Sequence, residues 1–202
     1  MSKFNKSIQK VTEATSTTPT STPYGSSEIS STTDAARFSQ AQESAMNKRV
    51  GDKNQVDVLS ESEAQDILNG GGKLYLSSDN TTGAYLKADG YMGGLFKDPT
   101  ANRTGAAKVL QQIRRDDGGY FFDAYATHLE DIYIKNDFRP VARLDFVKDY
   151  APVGWDDEGS SLSTRPDVAF FIYDPVTKGV KGEGQRMTDW DEAYELAKTT
   201  GR

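Results

Sequence analysis

The sequence predicts an α/β (α+β) fold, a mixed central β-sheet flanked by helices, preceded by a Ser/Thr-rich N-terminal arm. Three observations carry this reading. Fourteen of the 22 residues from Thr12 to Thr33 are Ser or Thr, with Pro19 and Pro23 among them. Beyond about Val56, short β-branched and aromatic runs alternate with stretches of helical periodicity, the pattern of a sheet with helices packed on it. Turn and capping signals such as Asp89-Gly90 and Ser60-Glu61-Ser62-Glu63 separate those runs. The expected organisation is a flexible arm over residues 1–55 with short helices in it, and an α/β domain over residues 56–202.

The arm follows from composition. A Ser/Thr/Pro stretch buries too little apolar surface to offset the entropy of ordering its backbone. Phe4, Ile8 and Val11 fall at helical spacing, with Lys3, Lys6 and Lys10 on other faces. A helix this short is marginal alone in water and reads as a solvated tail or a hook that folds on a partner. From Asp34 to Val50, the residues Ala35, Phe38, Ala41, Ala45 and Met46 form a thinly apolar helix face. That helix is expected to lie on the body or on another chain.

In the body, the Ser60–Glu63 capping box opens a helix carrying Ala64, Ile67 and Leu68, and Gly70-Gly71-Gly72 closes it. Lys73–Ser77 alternates as a strand, and Ala84–Lys87 and Tyr91–Phe96 follow as strands about the Asp89-Gly90 turn. The chain breaks at Asp98-Pro99. A helix from about Thr104 to Arg115 comes next, burying Ala107, Leu110 and Ile113, and it stops at Gly118-Gly119. Tyr120–Ala126 is a strand, and Thr127–Glu130 is a second capping box before a helix with Leu129, Ile132 and Tyr133 on its apolar face. Phe138–Phe146 is a strand, Tyr150–Thr164 a loop, and Asp167–Tyr173 a strongly apolar strand suited to a covered position. Thr188 is expected to cap a final helix bearing Trp190, Ala193, Tyr194 and Ala197.

Charge and composition narrow the function classes. The net charge is -6, but residues 1–50 hold six Lys/Arg against four Asp/Glu, so the remainder holds 18 against 26 and carries -8. The body has no basic cluster to neutralise a nucleic-acid backbone, whereas the arm suits an acidic partner. The chain has no cysteine, which excludes disulfides, Cys-ligated metals and a Cys nucleophile. No run of about 18 apolar residues is present to span a membrane. The first residues carry lysines without the apolar stretch of a secretory signal, so a cytoplasmic or virion-associated location is expected.

Three segments within Tyr91–Arg143 together resemble the GNAT superfamily of acyl-CoA N-acetyltransferases. LFKDPTANRTGAAKVL (Leu95–Leu110) lies where that family has its acyl-CoA loop, between the central strand and the following helix. YFFDAYA is similar to the next strand, which in the family diverges from its neighbour to admit the pantetheine arm. HLEDIYIKNDFRPVARL (His128–Leu144) resembles the family's Leu-Tyr-Glu-Lys-x-Gly-Phe-x-x-x-x-Arg segment. Similar domains are encoded by tailed bacteriophages.

The resemblance implies acetyl-CoA as donor, held by Phe96 and by the amides and side chains of Arg103, Thr104, Gly105, Ala106 and Ala107. A helix N-terminus with its unpaired N–H groups suits a pyrophosphate, and Gly105 would allow close approach. Tyr133 is the implied general acid for the departing thiolate, and Asp123 is the candidate base for the amine, with His128, the single histidine, beside it. Asp137 stands where the family carries glycine; Asp tolerates a left-handed backbone better than most residues. The acidic stretches Asp156–Glu158 and Asp189–Glu192 lack a calcium-loop pattern, so no metal is expected.

Two functions remain open at this level. One is N-acetylation of a small amine or a protein amine. The other is a non-catalytic virion or assembly protein that uses the fold as a scaffold and docks through residues 1–50.

Overall fold

The computed structural model describes residues 29–49, 56–101, 106–127, 129–146, 167–177 and 182–201. Its first strand, β1 (Ile29–Thr32), lies inside the segment whose composition reads as arm. It pairs antiparallel with β2 (Lys73–Ser77), Ile29 opposite Ser77 and Thr32 opposite Leu74. An edge strand needs backbone hydrogen bonds on one side only, so a Ser/Thr run can serve. Ile29 alone of the four enters the core.

Helix α1 (Ala35–Asn47) is capped by Asp34, whose carboxylate accepts from the Arg37 amide at 2.9 Å. Its buried face is Ala35, Phe38, Ala41, Gln42, Ala45 and Met46, a 3.6-residue stripe. Phe38 is fully buried and meets Phe96 edge-on at 5.7 Å. Beyond the helix, Lys48 bonds Asp98 at 2.6 Å and Arg49 donates to the Lys97 carbonyl. Of the two placements open to this helix, it takes the one on the body. Residues 29–49, expected within the arm, thus pair with and pack on the body. Composition missed this because small alanines, rather than large side chains, make most of the contact.

Helix α2 (Glu61–Asn69) opens with the expected capping box, the Ser60 amide donating to Glu63 at 2.7 Å and the Glu63 amide to the Ser60 hydroxyl at 3.3 Å. Strands β2, β3 (Thr82–Leu86) and β4 (Met92–Lys97) form an antiparallel meander, completing a sheet of order β1-β2-β3-β4. The Lys87–Tyr91 turn requires Gly90, at φ +98°, because a Cβ there would sit 2.1 Å from the Tyr120 ring.

Helix α3 (Ala106–Asp117), strand β5 (Phe121–Tyr125), helix α4 (Leu129–Ile134), strands β6 (Phe138–Leu144), β7 (Val168–Tyr173) and β8 (Gln185–Met187), and helix α5 (Trp190–Thr200) complete the chain. The second sheet has order β5-β7-β6-β8, with β8 parallel to β6. The sequence leads one to expect one central sheet. Instead two four-stranded sheets adjoin at an isolated parallel bridge, Tyr91 opposite Phe121.

Both faces are covered. On one, Val109, Leu110 and Ile113 of α3 and Tyr133 of α4 pack with Tyr75, Met92, Phe122, Phe138 and Phe171. On the other, α1 and α2 cover Leu74, Leu76 and Phe96, while α5 covers Phe121, Phe170 and Ile172 through Ala193 and Ala197.

Two capping expectations are corrected. Thr127 accepts from the Leu129 amide, but the Glu130 carboxylate bonds Arg143 at 2.6 Å instead of closing a capping box. Asp189, not Thr188, caps α5 by accepting from the Glu192 amide at 2.9 Å. Asp137 has φ +67°, a left-handed conformation that Asp tolerates better than most residues.

Candidate functional site

A buried tyrosine and a carboxylate meet where β4 and β5 adjoin at their isolated bridge. Alternation along β5 sends Phe122 and Ala124 into the core beneath α3 and α4. Phe121, Asp123 and Tyr125 therefore lie on the opposite face, shared with α1, α2 and α5. There the Tyr91 hydroxyl donates to Asp123. Tyr91 is buried, its ring 5.4 Å from Phe121, 5.2 Å from Tyr194 and 6.1 Å from Tyr85. Tyr194 in turn donates to Asp89 at 2.8 Å.

Asp123 sits deep among neighbours yet keeps partial access to solvent. Burial raises its carboxyl above the usual range; the Tyr91 hydrogen bond, its own backbone amide and the Lys87 charge oppose the rise, and Asp57 adds to it. Tyr91 is held well above an ordinary phenol by burial first and then by the charge of Asp123, so it remains a donor. Burial also raises Tyr85 and Tyr125. A partly exposed carboxyl group shifted toward neutrality has the property a general base needs.

Around this pair the backbone is irregular. Gly83 faces Phe96 while Tyr85 faces Gly93, so β4 carries one residue more than β3 over that span, a β-bulge. Gly94 has φ +57°, and a Cβ on it would lie 2.7 Å from the Tyr85 ring. The Tyr85 ring thus lies against the glycine pair. Fully buried Gln42 of α1 ties the bulge to the segment before α2. It donates to the carbonyls of Gly94 at 3.3 Å and Asp57 at 3.2 Å, and accepts from the Leu59 amide at 2.9 Å. Asp57 itself is exposed at the rim.

The residues singled out by sequence fall in different places. Tyr133 is 4% exposed, edge-on to Phe122 at 4.8 Å and tilted against Phe171 at 5.4 Å. Burial pushes its hydroxyl up to about 12, and that hydroxyl makes no hydrogen bond among the described residues. A buried donor left unpaired costs on the order of 1–3 kcal/mol, a debt that a ligand atom would remove. The helix face differs from expectation: α4 buries Tyr133 and Ile134 and leaves Ile132 39% exposed.

Phe96, expected at the cofactor, has its side chain in the core beneath α1 and α2. Arg103, Thr104 and Gly105 lie outside the described residues, as do His128, Trp155 and Asp156–Glu158. Ala106 and Ala107 open the backbone of α3. Asp189, Asp191 and Glu192 occupy the N-terminus of α5.

A cleft of about 510 Å³ lies between α4, β6 and β8. Its charges are satisfied internally. Arg143 donates to Glu130 and to the Glu183 carbonyl, and Arg186 pairs with Asp145 and Asp167. Among the described residues, no group of three or more His, Asp or Glu side chains is placed to hold a metal, and no helix is long and apolar enough to cross a membrane.

Sequence reading missed Tyr91, Lys87, Gln42, Gly93-Gly94 and Tyr194 as parts of this site. The glycine pair inside a strand signals a bulge. The Tyr91–Asp123 bond spans 32 positions and leaves no mark in spacing. Compared with known proteins, the chain matches no family model, and no curated protein and no solved structure is significantly similar to it.

Proposed function

We propose that the chain is an acetyl-CoA-dependent N-acetyltransferase of the GNAT type, acting on an amine. The observation that supports this most is Asp123, a carboxyl raised by burial, in the opening between two parallel-bridged strands that diverge. The gap beyond that bridge suits the pantetheine arm, and the N-terminus of α3, which begins at Ala106, suits the pyrophosphate. The unpaired hydroxyl of Tyr133 has the protonation state a general acid requires.

With acetyl-CoA bound, the thioester would supply the acyl group; Asp123 would take the proton of the attacking amine, and Tyr133 would give its proton to the sulfur as the C–S bond breaks. The fold alone does not supply an activity, so the roles rest on the site.

The test is thiol release from acetyl-CoA in the presence of primary amines. Wild-type turnover, lost about 100-fold or more in Tyr133→Phe with binding retained, supports the reading. Equal turnover in Tyr133→Phe removes the acid role. No thiol release with any amine favours the non-catalytic assembly protein.

A further inference from the structure

Lys87 follows β3 and projects its ammonium over aromatic rings. The nitrogen lies 4.9 Å from the centre of Tyr91 and 5.9 Å from that of Tyr194. The two rings are 5.2 Å apart and inclined at 35°, and Trp190 extends the row at 4.9 Å from Tyr194. No carboxylate among the described residues forms an ion pair with Lys87. An ammonium is strongly hydrated, so one resting on two ring faces rather than in an ion pair marks those faces as a cation-binding surface.

This surface adjoins the base. Tyr91, one wall of the ring pair, is the residue bonded to Asp123, and the Lys87 charge reaches that carboxylate. Asp57 adds negative charge at the rim, where it acts on Asp123, Tyr85 and Tyr125. The far end is less welcoming to charge. Lys198 stands 6.0 Å from the Tyr194 ring and pairs with Glu195 at 2.7 Å. A polycation would meet Lys198, and a neutral aromatic amine would offer the rings no charge. A single ammonium on a flexible apolar stem meets neither difficulty.

We infer that the Tyr91–Tyr194 ring pair beside Asp123 is the subsite for the acceptor amine, that the acceptor is a primary alkylammonium of the lysine side-chain kind, and that Lys87 occupies its place in the free protein. The catalytic part of this inference rests on the N-acetyltransferase reading; the binding part does not. An incoming lysine displaces Lys87 and brings its own nitrogen beside Asp123. Lys87 thereby acts as an internal competitor.

The experiment is calorimetric titration of the full chain, without acetyl-CoA, with N-acetyl-lysine methylamide and with N-acetyl-norleucine methylamide, which keeps the stem and lacks the charge. The lysine compound is expected to bind and the norleucine compound not. Lys87→Met, which keeps the stem and removes the competitor, tightens lysine binding by about 3- to 5-fold, the scale of one exposed cation–π contact. Tyr194→Phe preserves the ring face and the affinity, and Tyr194→Leu weakens it by a similar factor.

Equal binding of the two compounds, no binding of either, or weaker lysine binding in Lys87→Met overturns the subsite. A separate titration with acetyl-CoA distinguishes the two ideas. Lysine binding without acetyl-CoA binding supports the subsite and removes the acetyltransferase reading. Acetyl-CoA binding without discrimination between the two amines does the reverse.

Discussion

Tyr91 gives its phenolic hydrogen to the carboxylate of Asp123 beside the bridge at which β4 and β5 meet. The same tyrosine packs on Phe121 and Tyr194, so one side chain joins the two sheets, α5 and the candidate base. Its hydrogen bond is the largest influence opposing the rise of the Asp123 carboxyl.

Tyr91→Phe keeps the ring and removes the donor. The Asp123 carboxyl then rises further, since Lys87 and its own amide remain as the opposing influences while burial and Asp57 push it up. The acid limb of the pH–rate profile is expected to move to higher pH. A loss of thermal stability with an unmoved limb would mean that Tyr91 only packs.

Asp123→Asn tests the same group through stability. Its folded value is raised, so its charge opposes folding. The penalty is absent below the unfolded value of about 3.9, grows as pH rises toward the folded value, and is complete above it. Denaturant unfolding is therefore expected to show Asp123→Asn at least as stable as wild type at pH 7, with the difference closing near pH 3, while turnover disappears.

Asp174 shows the opposite sign. Its hydrogen bond with Thr177 leads the causes that hold it at about 2, with Arg139 and the Val176 amide adding to the effect. Its contribution is present above the unfolded value and is lost as pH falls toward 2. Asp174→Asn is expected to lower stability at pH 7 by on the order of 1 kcal/mol, because solvent screens the turn. Melting curves at pH 7 and pH 2 should differ and then converge.

What the sequence made legible was local. Ser60 and Glu63 form their capping box because both partners lie within one turn, and the Asp89-Gly90 signal does mark the β3–β4 turn. Asp137 is left-handed, a conformation Asp tolerates better than most residues. What stayed hidden was non-local. The Ile29–Thr32 strand is set by β2, more than 40 positions on, and its own residues are those of a linker. Gln42 reads as a polar helix residue but satisfies three backbone groups in two distant segments. Strand alternation turns the Phe96 side chain toward α1, which its place in the chain does not reveal.

The packing of α1 yields a direct test of where the body begins. Phe38→Ala removes a fully buried ring that meets Phe96 edge-on, and it is expected to cost about 3–5 kcal/mol. A chain beginning at Val56 loses β1 and the whole α1 face and is expected not to fold, as read by circular dichroism. A stable Val56 chain would restore the boundary at residue 55.

Gly94→Ala strains the bulge. It places a Cβ at φ +57° and 2.7 Å from the Tyr85 ring. The expected cost is about 1–3 kcal/mol in denaturant unfolding. Turnover is expected to fall further than stability alone explains, because Tyr85 and β4 shift together at the cleft. Unchanged turnover would place the bulge outside the site.

The central claim is that the opening between β4 and β5, with the N-terminus of α3 behind it, holds acetyl-CoA. Isothermal titration of the full chain with acetyl-CoA tests it most directly, with Gly105→Glu as the comparison. Saturable binding by the wild-type protein that Gly105→Glu abolishes is expected, since the added carboxylate repels the pyrophosphate. Absence of any binding heat from a folded wild-type chain, or binding untouched by Gly105→Glu, would contradict it.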